Sequence, residues 1–210
     1  MRCFYSLSLL VALLAASCVR LRPPHLARDR SAITRQFPVS FFDSSGSGRL
    51  FKATMDIKNH HLTGVLMIKR MNVSVCRVVF ASEIGMTFFD LELGAGGSRV
   101  VSCFGPLNKK FLTNIFITDF TVLTGINKVN VHKQYLQDTT RKLVYSGKAG
   151  SWKIWQSYSS SGDTLLSQSA NSSLFDPVII SYDHYHLGFP AVIRLYNPVP
   201  GMTFSLKLLD

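Results

Sequence analysis

The chain has 210 residues, of which 47% are hydrophobic and 17% are charged. This balance excludes an intrinsically disordered chain, which is poorer in apolar residues and richer in charge, and the length suits one domain. The 23 Lys and Arg residues against 12 Asp and Glu residues give a net charge of +11, which is compatible with an anionic partner.

The first residues resemble an export signal. Met1 and Arg2 precede an apolar run, Leu7–Leu14, that is too short to span a bilayer. The small residues before Cys18 resemble a bacterial lipobox, so residues 1–17 are predicted to be a signal peptide and Cys18 a lipidated mature N-terminus. Ordinary secretory cleavage at the same small residues is the alternative. No later run of about 20 apolar residues occurs, which excludes a polytopic membrane protein.

Residues 18–45 are interpreted as the lipidated N-terminus followed by a basic tether. Arginines are frequent in this segment, whereas Asp29 is the one acidic residue between positions 19 and 36. Attraction to anionic lipid headgroups and a plain soluble spacer both remain open. A nucleic acid is not an expected partner behind an export signal.

Strand-like runs follow, broken by Gly, Asn, Ser or Pro. The first group forms a meander: Arg49–Ile57, Leu62–Arg70, Val73–Ala81, Met86–Leu93 and Ser98–Phe104. The apolar spacing over Asn108–Leu123 predicts a helix, and a second helix is predicted over Val129–Asp138. Strands then resume at Lys142–Ser146, Ser151–Tyr158, Thr164–Gln168, Val178–Asp183, Ala191–Tyr196 and Met202–Leu209.

This pattern predicts a mainly β domain over residues 46–210. About eleven antiparallel strands in this length will curl into a half-barrel, with the helical insertion over an apolar inner face. Side chains, the inserted helices or a lipid-like ligand must fill the curl. Large residues predicted to line it are Leu66, Phe80, Phe89, Leu91, Ile193, Leu195, Phe204 and Leu206, with either Trp152 or Trp155.

No catalytic or metal-binding motif is complete. Asp90 and Glu92 share one strand face, opposite Phe89 and Leu91, and are interpreted as solvated charges on the outside. His184 and His186 suit zinc, but no third ligand is evident nearby. We therefore expect no enzymatic activity, no metal and no cofactor; a secreted metal-dependent enzyme that uses both histidines is the weaker alternative.

Four cysteines exclude a disulfide-dense scaffold. Cys3 lies in the leader. Cys76 and Cys103 either form a disulfide or remain buried free thiols, and both interpretations stay open.

Several segments together resemble the LolA/LolB family of outer-membrane lipoprotein carriers and receptors. In Ser82–Leu93 an apolar residue and a Gly precede an alternating Leu-rich strand, as in the LolB receptor. Further similarity lies in the two strands within Leu62–Ala81, the helical insertion, the Trp-Lys strand at Ser151–Ile154, and the ending Pro190–Tyr196 followed by Met202–Leu209.

The resemblance implies an eleven-stranded half-barrel, closed by helices around an apolar cavity for acyl chains. It implies that Ile84, with Met86 beside it, enters the membrane during delivery. The expected location is the periplasmic face of the outer membrane, with lipoprotein acyl chains or other lipids and a periplasmic lipoprotein carrier as partners. The alternative is a structural or interaction lipoprotein whose half-barrel is filled by its own side chains.

Overall fold

The computed structural model describes residues 26–28, 41–42, 48–127, 129–137, 140–172 and 177–209. The predicted signal peptide and Cys18 lie outside these ranges. The strands are β1 (Leu26–Arg28), β2 (Arg49–Ile57), β3 (His60–Asn72), β4 (Val75–Ala81), β5 (Thr87–Gly94), β6 (Arg99–Cys103), β7 (Asn130–Gln137), β8 (Lys142–Ala149), β9 (Trp152–Tyr158), β10 (Leu165–Asn171), β11 (Val178–His186), β12 (Phe189–Asn197) and β13 (Met202–Leu208).

All these strands belong to one open antiparallel sheet. Their order is β1-β7-β8-β9-β10-β11-β12-β13-β2-β3-β4-β5-β6, so β1 and β6 are the two edges. Each of the eleven predicted strands is present, and the predicted fold class is confirmed. β1 and β7 are additional strands.

The helix predicted over Val129–Asp138 is wrong, because this segment forms β7. β7 pairs with β8 along its length and with β1 on its other side. The close approach to β8 requires a residue without a side chain, since a Cβ on Gly147 would lie 2.6 Å from the Asn130 carbonyl oxygen. Pairing with two neighbouring strands, a tertiary interaction, therefore overrides the local helical spacing.

The other predicted helix is confirmed. After a short 3-10 helix at Gly105–Leu107, helix α1 spans Lys110–Thr124. It ends at Gly125, whose φ of 60° is a left-handed conformation that glycine adopts without strain, and whose N–H reaches the carbonyls of Thr121 and Val122. No helix in the ranges that the structure describes is long and apolar enough to cross a bilayer.

The sheet is strongly curled. Phe80 on β4 and Phe204 on β13 are three strand steps apart, which is roughly 14 Å in a flat sheet. Their ring centroids are 5.7 Å apart, and Phe89, one strand further, still lies 6.1 Å from Phe204. Such contacts require the inner faces of these strands to turn toward one another.

Part of the segment interpreted as a tether packs against the sheet. Phe42 is buried and makes edge-on contacts with Phe51 and Phe189, and Phe41 contacts Tyr182. The packed unit therefore includes residues that precede position 46.

Candidate functional site

The two inward sides of α1 carry side chains of different size. Phe116, Phe120 and Leu123 recur at helical spacing and are buried. Thr118 and Thr121 lie on the other side of the helix, together with Asn114 and Ile117. Spacings of three, four and seven residues place each set on one side of the helix. The helix thus divides the interior of the curled sheet into two parts.

The first part, called here the filled half, consists of the inner faces of β2–β5, β12 and β13 with Phe116 and Phe120. The Phe89 and Phe116 rings stack with centroids 5.0 Å apart, and Phe120 meets Phe204 edge-on at 5.4 Å. These side chains have no exposed surface. Aromatic rings in such contact leave no room for a ligand between them.

Apart from the tryptophan, the residues predicted to line a cavity belong to this half and are fully buried. The structure brings them together at the inner face of the curl, namely Leu66, Phe80, Phe89, Leu91, Ile193, Leu195, Phe204 and Leu206. None of the eight borders the cleft described next. Their role toward a ligand stays a prediction, and in this conformation they form core.

The second part is an open cleft of about 620 Å³ between α1 and the other end of the sheet. This volume lies within the range of about 300–1,000 Å³ that is usual for small-molecule sites. Helix residues Ile117, Thr118 and Val122 form one wall. The opposite wall and the two ends are formed by Ala149, Trp152, Ile154, Gln156, Gln168 and Val129, and by Arg70 with the β5–β6 hairpin at Gly94–Ser98.

The structure decides which tryptophan faces inward. Trp152 and Ile154 border the cleft. Trp155 lies on the other face of β9, where its ring contacts Tyr135 at 5.7 Å and lies under the Lys153 ammonium at 4.4 Å. The indoles of Trp152 and Trp155 therefore lie on opposite faces of β9.

Buried amides hold the sheet wall of the cleft to the helix. Gln156 Nε2 donates to Gln168 Oε1 at 2.9 Å, and Gln168 Nε2 donates to the Val122 carbonyl at 2.9 Å. The Tyr158 hydroxyl donates to Gln156 Oε1 at 2.6 Å. Because buried polar groups are costly unless they are paired, this network favours one spacing between α1 and the sheet.

A buried carboxyl group lies on α1 beside the filled half. Asp119 has no exposed surface, and Asn197 Nδ2 donates to it at 3.0 Å. Burial raises the pKa of Asp119 to about 8, against the opposing effect of the Asn197 hydrogen bond. At neutral pH the proton is therefore largely retained.

The β4–β5 loop presents Ile84 to solvent. Its side chain is 92% exposed, and Met86 is 41% exposed. The loop is nevertheless ordered: Met86 N–H donates to the Ser82 hydroxyl at 3.0 Å, and Gly85 N–H donates to the Ser82 carbonyl at 3.0 Å. The membrane-entry role of both residues stays a prediction, but an isolated exposed isoleucine on a braced tip suits it.

The charged residues of the sequence analysis lie at the surface. Asp90 accepts two hydrogen bonds from Arg77, and Glu92 accepts two from Arg99. His184 and His186 are exposed on β11. Within the described ranges, no three His, Cys, Asp or Glu side chains come close enough to hold a metal ion.

Cys76 and Cys103 are free thiols. Cys76 is paired with Leu93 across β4 and β5, whereas Cys103 is paired with Phe89 across β5 and β6. Four residues along β5 correspond to roughly 13 Å, well beyond the Cα separation of about 7 Å that a disulfide tolerates. Of the two interpretations, the structure therefore favours separate thiols.

The sequence analysis missed most of the cleft. Small and polar residues such as Thr118 and Thr121 carry no hydrophobic signal. Arg70 did carry a signal in the sequence. It continues the inward-facing alternation of Leu66 and Ile68, where a basic residue is unexpected.

Comparisons with known proteins give similarity in structure but none in sequence. No family model matches the chain, and no curated protein matches it. Among solved structures, a LolA superfamily protein from Nitrosomonas europaea is 10% identical with a TM-score of 0.49, over 81% of this chain and 87% of that one. A domain from Vibrio parahaemolyticus, described as an outer membrane lipoprotein-sorting protein, is 10% identical with a TM-score of 0.43, over 80% and 86%.

Proposed function

We propose that this protein is a lipid-anchored lipoprotein on the periplasmic face of the outer membrane that binds acyl chains of lipoproteins or other lipids and assists their insertion. The observation that carries the proposal is the open cleft of about 620 Å³ between α1 and β8–β10. Its apolar surface comes from Ile117, Val122, Trp152 and Ile154. The protein would act by non-covalent binding, without catalysis.

The energetics suit a cleft of this kind. Each CH₂ removed from water contributes about 0.8 kcal/mol, so the exposure of a sixteen-carbon chain to water costs on the order of 12 kcal/mol. A carrier must offset most of this cost and still release the chain to a membrane. The cleft is open, and its helix wall carries the small residues Thr118 and Thr121. It can therefore bind an acyl chain without enclosing it completely.

Anchor and loop have separate roles in the proposal. Acylated Cys18 would hold the protein at the membrane surface. Ile84 would enter the bilayer, because its exposed apolar side chain gains by leaving water. A periplasmic lipoprotein carrier would be the donor of the cargo.

The filled half supports a second candidate function. Since aromatic rings fill the interior around Phe89 and Phe204, the protein could be a structural or interaction lipoprotein without a ligand. Binding of acyl chains in the cleft distinguishes the two functions, because a scaffold without a ligand would bind none there.

The test uses the chain's two tryptophans as inside and outside reporters. The full chain with W155F is placed in phosphatidylcholine nanodiscs and titrated with brominated hexadecanoic acid, a contact quencher of indole fluorescence. We expect saturable quenching of Trp152, which borders the cleft. The matched W152F variant retains Trp155 on the outer face and should show only the weak, non-saturable background. Equal quenching in both variants would favour the scaffold.

The loop is tested separately. I84E should reduce incorporation of lipoproteins into outer membranes about tenfold, since transfer of one isoleucine side chain to an apolar phase is worth about 1.5–3 kcal/mol. The control is L187E, because Leu187 is 94% exposed on the β11–β12 turn at the opposite end of the strands. Unchanged incorporation with I84E, or an equal loss with L187E, would contradict the role of the loop.

A further inference from the structure

Arg70 points into the curled interior rather than toward solvent. It is paired with Cys76 on β4, which is paired with Leu93 on β5, so the three side chains form one row on one face of the sheet. Cys76 and Leu93 are fully buried, which identifies that face as the inner one. Burial raises the pKa of the Cys76 thiol to about 11, and the nearby Arg70 charge acts in the opposite direction.

The guanidinium group of Arg70 has an unused donor. Its Nη1 atom is buried and makes no hydrogen bond. None of the ion pairs among the described residues includes Arg70. The arginines of the outer face differ, since Arg77 and Arg99 each bind a carboxylate through two nitrogens. An arginine cannot lose its charge by deprotonation, so a buried donor of this kind calls for a partner.

The side chain that carries this donor borders the cleft, while the Nη1 atom itself is withdrawn from solvent. Arg70 borders it beside the β5–β6 hairpin, and it is the one charged residue among the described residues that line it. The remaining lining combines apolar side chains such as Ile117 and Trp152 with neutral polar ones such as Asn114 and Thr118. One fixed positive group beside an apolar wall is the arrangement that an amphiphile with a single anionic head requires.

We propose that Arg70 binds the anionic headgroup, carboxylate or phosphate, of a single-headed amphiphile whose acyl chain lies along Ile117, Trp152 and Ile154. The inference rests on the proposed function, because it assumes that acyl chains enter the cleft. The planar fork of arginine matches two oxygens of either headgroup, and charge-assisted hydrogen bonds to the guanidinium give its charge the anionic partner that none of the described ion pairs supplies. A neutral acyl ester would occupy the same cleft but offer the guanidinium no anionic oxygen.

The proposal therefore narrows the ligand class. Free fatty acids and lysophospholipids with an anionic head carry the required oxygens at the end of one chain. The amide- and ester-linked acyl chains of a lipoprotein anchor carry none, so such an anchor would bind without help from Arg70.

The experiment uses the full chain with W155F in phosphatidylcholine nanodiscs, with quenching of Trp152 as the readout. Three brominated probes share a sixteen-carbon chain: hexadecanoate, its neutral methyl ester, and the lysophosphatidylglycerol. R70Q removes the charge, whereas K69Q removes a charge from the neighbouring residue, which is exposed on the opposite face of β3. Unfolding curves of both variants check that the fold is retained.

We expect R70Q to weaken binding of an anionic probe at least tenfold, the lower end of what hydrogen bonds to charged groups contribute, and to leave the ester unchanged. K69Q should leave all three probes unchanged. Loss confined to hexadecanoate identifies a carboxylate head, and loss confined to the lysophospholipid identifies a phosphate head. If the anionic probes bind like the ester and R70Q changes nothing, the inference is wrong while acyl binding stands. If no probe quenches Trp152, acyl binding in the cleft is itself refuted.

Discussion

The filled half and the cleft are formed by the same helix on the same sheet, yet one is solid and the other open. Phe116 and Phe120 enter the space above β5 and β13 and complete a cluster with Phe89 and Phe204. Across the helix, Thr118 and Thr121 are too small to reach β9 and β10. The sheet wall of the cleft combines Trp152 and Ile154 with the buried amides of Gln156 and Gln168, and it is the small side chains on this side of α1 that leave room for a ligand.

This difference assigns separate tasks to the two halves. The filled half contributes stability, because its large side chains are entirely withdrawn from water. The cleft leaves apolar surface uncovered in the free protein, which is the surface that a bound chain would cover.

The largest expected effect is on stability, from F120A. Removing this fully buried ring should lower the free energy of unfolding by about 3–5 kcal/mol, because a cavity is left among Phe89, Phe116 and Phe204. The matched I117A variant, on the cleft side of the same helix, should cost about 1 kcal/mol or less, since Ile117 is only half-buried. Urea unfolding followed by circular dichroism measures both. Equal losses would show that the two halves do not differ as described.

D119N tests the burial of a carboxyl group in the filled half through pH. The pKa of Asp119 is raised to about 8 in the folded state from an ordinary value of 3.8, so folding takes up a proton between these limits. The contribution of this group to stability should therefore be greatest below about pH 4 and fall as the pH rises toward 8. D119N keeps an oxygen for Asn197 and should remove that dependence. Parallel pH profiles of the two proteins would contradict the burial of the carboxyl group.

T118F should give the cleft the character of the filled half. A ring at this position occupies the space against β9, so we expect at least a tenfold loss of hexadecanoate binding, with a change in unfolding free energy of about 1 kcal/mol or less. The control is K110F, which places the same ring at an exposed residue of α1. Full binding by T118F would show that the ligand lies elsewhere.

The smallest expected effect concerns Arg70 in the absence of ligand. R70L removes a buried donor that has no partner, so the free protein should gain about 1 kcal/mol in unfolding free energy. K69L, on the solvent face, should change the unfolding free energy by no more than about 0.5 kcal/mol. A loss of stability in R70L would show that Arg70 supports the fold and has a partner within the protein.

Sequence and structure agree best where local signals are strong. Alternation on strands such as Met202–Leu208 and the apolar spacing of Asn108–Leu123 predicted these elements to within about two residues. The segment Asn130–Gln137 differs: its helical spacing was misleading, because the ladders to β1 and β8 outweigh a weak propensity. The apolar residues of the inner face were also found, but alternation cannot distinguish a side chain that lines a cavity from one that fills it.

By itself the sequence determined a mainly β antiparallel domain with one helical insertion and the set of large side chains that face inward. These follow from the periods of strand and helix, which are local properties of the chain. Tertiary structure decided the rest: β7 as a strand, Trp152 rather than Trp155 as the inward indole, and the cleft on the Thr118 side of α1 with Arg70 at its wall. The reason is physical, since a cleft depends on distances between elements far apart in sequence, which the curl of the sheet and the placement of one helix set together.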